Sequence, residues 1–313
     1  MRGINLGYRK RSIGMDIRRN AFSYLLALPA GIYTLIFGYM TLPYIYMAFV
    51  NYNYSQGLLG STFIGLKNFM YFFKSNRAWM ITWNTVYLNT IFIVTGTVAA
   101  ILLALMLNEI RNHVFLKTSQ AVLLFPHFLS WIIVQYVVFA FLSSEYGWLN
   151  SIFAVLGIPK VSMYSNADYW PAILALIRIW KGVGMSSVIY MAAIVGMDEG
   201  LFEAARIDGA NKFQQIIYIT LPLLGTTISI LTLLAVGKIF YGDFQMIYAL
   251  VGDNGILLQR TDVIDTYVFR ALRQTGNPSA AMAVGLYQAV VGFIMVFGSN
   301  RLVRRYFPEG AMF

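Results

Sequence analysis

Four ionisable side chains stand inside long apolar blocks of this sequence: Arg178, Lys181, Lys238 and Asp243. Near them lie the amides Asn84, Asn89, Gln245 and Gln288 and the rings of Trp180, Tyr241, Phe244 and Tyr287. A polar group inside an apolar span is costly unless it faces protein or a water-filled route. Amides and charges beside aromatic faces suit hydrogen-bonded recognition of a hydroxylated solute. These twelve residues are therefore the candidate lining of a solute path. Plainer roles are open to them as well. Lys238 and Asp243, five apart, can neutralise one another or bond to a partner chain. Arg178 and Lys181 can snorkel or brace a bundle, and Asn89 can join two helices.

Bond-making chemistry has little support. Cysteine is absent, which excludes disulfides, thiolate catalysis and Cys-based metal sites. His113 and His127 have no partners at ligand spacing. The chain has neither a GxxxxGK[ST] phosphate loop nor a Ser-His-Asp constellation with a defined elbow. The expectation is passage of a solute, with no catalytic residue, metal or cofactor on this chain.

The elements that must position such a path are membrane spans. Of 313 residues, 58% are hydrophobic and only 12% charged, against about 25% charged in a soluble domain. A span needs about 20 mostly apolar residues. Six blocks qualify, over roughly 21–49, 85–107, 120–142, 171–196, 223–248 and 281–300. The first contains Pro29 and Pro43 and is too long for one perpendicular helix. The fold expected is all-α and polytopic, with a membrane domain over 21–305 between tails at 1–20 and 306–313.

Charge orients it. Arg2, Arg9, Lys10, Arg11, Arg18 and Arg19 precede the first block, and Arg301, Arg304 and Arg305 follow the last. Both ends are expected in the cytoplasm. The net charge of +10 then suits anionic headgroups, and no nucleic-acid patch is visible. Of the outer connections, 50–84 offers Phe63, Leu66, Phe69 and Phe73 for one face of a surface helix. The segment 143–170 carries turn signals with Trp148 and Trp170 at the interface. The segment 249–280 reads as a solvated loop whose Asp262, Asp265, Arg270 and Arg273 can alternatively cap the path.

One inner connection is different. EAARIDGANKFQQIIYITLPLL runs from Glu203 to Leu224, preceded by Asp198 and Glu199. Phe202, Ala205, Gly209, Phe213 and Ile216 recur at helical spacing. This predicts a short amphipathic helix or helix pair over about 199–216, with Gly209 as a tight turn or a point of close approach. It either lies on the headgroups or fits a groove on a partner.

That stretch resembles the cytoplasmic motif of permease subunits of bacterial ATP-binding-cassette importers: Glu-Ala-Ala, three residues, Gly, nine residues, Ile, one residue, Leu-Pro. Every position matches, at Glu203, Ala204, Ala205, Gly209, Ile219, Leu221 and Pro222. The run FSYLLALPAGIYTLIFGYMTLPYIYMAFVNYN, then FIGLKNF, and the GWLN of Gly147–Asn150 are similar to the carbohydrate branch, and more narrowly to permeases for oligosaccharides or polysaccharide fragments. The resemblance implies a type I importer permease in a bacterial inner membrane. It implies a second, similar permease, two ATPase subunits that bind ATP and Mg, and an extracytoplasmic solute-binding protein. The motif helix would dock in a cleft of the ATPase, and the route would lie at the interface of the two permeases. The alternatives are another solute on the same machinery, an ion-coupled secondary transporter, or a membrane enzyme.

Overall fold

The computed structural model describes residues 19–306. The two tails fall almost wholly outside the described residues.

The first apolar block is broken where its prolines require it. Helix α1 (Ala21–Tyr33) contains Pro29, runs into a wider turn over Thr34–Tyr39, and gives way to a tighter helix over Leu42–Phe49 with Pro43 in its first turn. Every residue from 19 to 44 is exposed. A hairpin follows, β1 (Val50–Asn53) antiparallel to β2 (Ser61–Phe63), with Val50 opposite Phe63. Helix α2 (Lys67–Lys74) comes next. The expected face of Phe63, Leu66, Phe69 and Phe73 does not form, because Phe63 belongs to β2. The buried side of α2 is Asn68 and Phe72 instead. The Asn68 amide donates to the carbonyls of Ala48 and Val50, at 2.9 and 3.0 Å, and so anchors the helix.

Helix α3 (Asn76–Asn108) starts earlier than expected. The third block is not one helix. α4 (His113–Leu124) and α5 (Trp131–Leu142) meet at 99°, across a tight turn containing Pro126. Proline ends the first helix and Ser130 caps the second, its hydroxyl accepting from Ile133 N–H at 3.3 Å. Beyond them lie α6 (Trp148–Val155), α7 (Trp170–Val195), α8 (Glu199–Ile207), α9 (Lys212–Gln215) and α10 (Leu221–Val236). The chain ends with α11 (Phe244–Val251), α12 (Leu258–Thr261), α13 (Ile264–Arg273) and α14 (Pro278–Tyr306). The segment 249–280 is thus helical and partly buried, not a solvated loop.

Among the described residues, five stretches are long and apolar enough to cross a membrane, and the bent α4–α5 pair, taken as one span, makes six. The connections gather at two ends. At one, Lys212 pairs with Glu109 at 3.0 Å, joining α9 to the end of α3. At the other, Arg260 pairs with Asp168 at 3.0 Å and the Asn84 amide donates to the Gln259 carbonyl at 3.1 Å. Between them the spans pack through small residues. Ala100 and Ala104 of α3 share a cluster with Tyr190, Ile194 and Leu224. At Gly184 of α7 an added Cβ would lie 2.1 Å from the Leu123 carbonyl oxygen. Gly184→Ala is expected to force α4 off α7 at a cost of about 1–3 kcal/mol. A thermal unfolding scan of the detergent-solubilised protein checks this, and an unchanged midpoint refutes it.

Candidate functional site

The apolar run through 248 is interrupted. Helix α10 stops at Val236, and the chain turns irregularly to Asp243 before α11 begins. Unwinding frees backbone groups that a membrane interior cannot hydrate, so side chains must meet them. Asn89 of α3 donates to the Ile239 carbonyl at 2.9 Å. Gln288 of α14 donates to the Phe240 carbonyl at 2.7 Å. Asp265 of α13 accepts the Gly242 N–H at 2.6 Å and the Gln288 amide at 3.0 Å. Burial raises the Asp265 carboxyl above its ordinary range, and these two donors draw it back. Glycine is required at 242, where a Cβ would stand 2.8 Å from Val263 Cγ2 and 2.9 Å from Asp265 Oδ2.

Asp243 ends the break and caps α11, accepting from Met246 N–H at 3.2 Å. Its other oxygen pairs with Arg178 at 2.9 Å, and that guanidinium carbon lies 5.0 Å from the Phe92 ring centre. Lys238 is exposed and does not pair with Asp243. Both oxygens of that carboxylate are already engaged.

A cavity of about 480 Å³ opens beside this pair, lined in part by Phe92, Thr97, His127, Trp131, Arg178, Lys181 and Asp243. A second, of about 680 Å³, is lined in part by Ser130, Trp131, Gln135, Tyr164, Gln245 and Tyr248. Trp131, the first residue after the bend, borders both.

At the end that carries Glu109 and Lys212, the expected polar helix is a pair, α8 and α9. Asp198 caps α8 by accepting from Gly200 N–H at 2.9 Å. Asn211 caps α9 reciprocally with Gln214, at 2.9 and 2.7 Å. Gly209 turns the chain between them at φ 82°. That break resets the helical phase, so the expected face is not continuous. Phe202, Ala205 and Ile216 are half-buried, whereas Phe213 is 70% exposed. Ile207 and Tyr218 are exposed too, at 87% and 76%, which leaves an apolar surface bare at this end. Glu203, Ala204, Gly209 and Pro222 are exposed, and Ile219 and Leu221 half-buried.

This architecture has known counterparts. Residues 96–308 match the family described as binding-protein-dependent transport system inner membrane component. The chain belongs to that family. Among relatives of this permease, the polygalacturonan/rhamnogalacturonan transport system permease protein YteP of Bacillus subtilis (strain 168) is 35% identical over 302 residues, covering 96% of this chain and 93% of that one. Protein LplB of the same organism is 32% identical over 294 residues, covering 94% and 92%. A chain of the bacterial alginate ABC transporter, crystallised with alginate pentasaccharide-bound periplasmic protein, superposes with a TM-score of 0.85 at 32% identity, covering 95% of this chain and 98% of that one.

The permease brings only some of the sequence-derived path residues together. Arg178, Lys181 and Asp243 line the first cavity and Gln245 the second. Asn84, Asn89 and Gln288 are instead spent on backbone carbonyls. Tyr287 packs against Phe72, Phe73 and Phe240. Phe244 stacks with Tyr248 and Phe269. Trp180 is exposed and is not among the residues lining the first cavity, and the Tyr241 ring covers Gly292. Sequence reasoning missed His127, Trp131, Gln135 and Tyr248. Pro126 followed by Ser130 was the available signal, a helix stop and a cap four residues apart.

Proposed function

We propose that this permease carries an oligosaccharide or polysaccharide fragment across a bacterial cytoplasmic membrane by alternating access, driven by ATP that separate subunits hydrolyse. It pairs with a second, similar permease. Two ATPase subunits sit on the α8–α9 end, which is cytoplasmic, as are both termini. A solute-binding protein delivers cargo to the opposite end. The bare apolar surface around Ile207, Phe213 and Tyr218 fits the cleft of an ATPase, and Glu203–Pro222 transmits its closure to α10. The observation that carries this reading is the complete Glu203–Pro222 pattern on a capped helix pair at one end of a six-span bundle. The names of the relatives support a carbohydrate cargo.

Uptake into proteoliposomes containing the whole assembly tests it. Oligosaccharide accumulation is expected only with ATP, with the binding protein and with intact ATPase subunits. Accumulation driven by an ion gradient without ATPase would overturn the mechanism. Uptake of another solute class in place of saccharide would overturn the cargo.

A further inference from the structure

The first cavity carries more positive than negative charge. Arg178 is answered by Asp243, but Lys181 is not answered by an acid. Its ammonium donates to the His127 carbonyl at 2.8 Å and lies 5.0 Å from the Trp131 ring centre. Among the described residues, no carboxylate comes within ion-pair distance of it. Lys181 also stands near the middle of α7, too far from either end of that helix for its side chain to snorkel past it. A cation held at that depth by neutral partners keeps donors free for an anion.

The adjoining cavity has the opposite character. Gln135, Gln245 and Tyr248 offer neutral amides and a hydroxyl, groups that bind sugar hydroxyls. Trp131 lines both. A cargo that suits both is rich in hydroxyls and carries carboxylates.

We propose that the cargo is an acidic oligosaccharide, built from sugar units with carboxylates, and that Lys181 is a specificity-determining residue that binds one of those carboxylates as the chain passes Trp131. This rests on the carbohydrate reading above. A neutral saccharide filling the same space would exclude water from the ammonium without replacing its counter-charge. Lysine suits a moving carboxylate better than arginine's rigid fork, because a point charge on a flexible stem follows it.

The test compares two cargoes in the reconstituted complex with its binding protein: a tetrasaccharide of uronic acid units, and the same tetrasaccharide with its carboxylates reduced to alcohols. Affinity of the binding protein for each is measured separately. For the acidic cargo, Lys181→Gln is expected to raise KM about ten- to a hundredfold, the worth of a charge-assisted hydrogen bond, with kcat changing about twofold or less. Lys181→Arg is expected to recover most of that loss. For the reduced cargo, wild type and Lys181→Gln are expected to be alike. An unchanged KM for the acidic cargo in Lys181→Gln overturns the inference. So does an equal loss for both cargoes, which would make Lys181 a brace of the bend or the partner of an acid on the second permease. Transport of the reduced cargo in preference to the acidic one overturns it as well. A wild-type complex that takes up neither overturns the acidic cargo, whereas the carbohydrate reading falls only if another solute class is taken up in place of saccharide.

Discussion

Gly209→Val is expected to abolish most ATP-driven transport while leaving the permease folded and inserted. Gly209 sits at φ 82°, a region that a β-branched residue adopts only at a cost of about 1–3 kcal/mol. Space is not the difficulty, since an added Cβ would meet nothing within 4 Å. The strain is relieved by changing the angle between α8 and α9, which moves Ile207 on one helix away from Phe213 on the other. At about 1.4 kcal/mol per tenfold, the population with the native angle falls about fivefold to a hundredfold. Transport and co-purification with the ATPase should fall together, with the detergent-solubilised permease still monodisperse. Gly209→Asn is the control, because asparagine tolerates the left-handed region and should retain most activity. Wild-type transport in Gly209→Val would remove the turn from the coupling mechanism.

The spans were legible because composition alone places them. A window of about 20 apolar residues reports transfer into lipid, whatever the backbone does inside it. For the same reason the window hid the two places where the backbone leaves the helix. The third block contained the stop and the cap in Pro126 and Ser130, yet the block as a whole still reads as apolar enough for one span. The fifth contained Gly237 and Gly242, but two glycines do not announce an unwound turn, and its support comes from Asn89, Asp265 and Gln288 on three other elements. The amides Asn89 and Gln288 were visible as polar residues in or near apolar runs. Their role was not, because an amide facing a cargo and an amide facing a freed carbonyl look alike in one dimension. The motif from Glu203 to Pro222 was legible position by position, since its spacing is local. The face it presents was not, because Gly209 breaks the helical phase on which Phe213 was assigned. Arg178 and Asp243, 65 residues apart, meet only once the fold is known.

Arg270→Met is expected to destabilise the permease by about 3–5 kcal/mol, the cost of stranding a buried charge. Asp262 is only 3% exposed. It accepts the Thr266 hydroxyl at 2.7 Å and is ion-paired with Arg270, whose other terminal nitrogen lies 3.9 Å from Asp253. Burial pushes the Asp262 carboxyl above its ordinary range, and Arg270 is the foremost influence holding it down. Without Arg270 it rises further. A carboxyl raised in the folded state stabilises the fold below its unfolded value, near about 4, and that stability is lost as pH rises through the raised folded value. Arg270→Met should therefore fall furthest below wild type in thermal midpoint at about pH 8 and recover part of the difference at about pH 5. Adding Asp262→Asn to Arg270→Met should restore much of the stability at the higher pH, since no charge is then left buried. The consequence reaches the site. Asp265, three residues after Asp262 and on the same helix as Arg270, holds Gly242, so loosening the N-terminus of α13 frees the unwound turn that positions Asp243 against Arg178. Uptake by the single variant should decline with its stability and return in the double variant. A midpoint independent of pH, or a double variant no better than the single, would show that the Asp262–Arg270 pair does not carry this part of the fold.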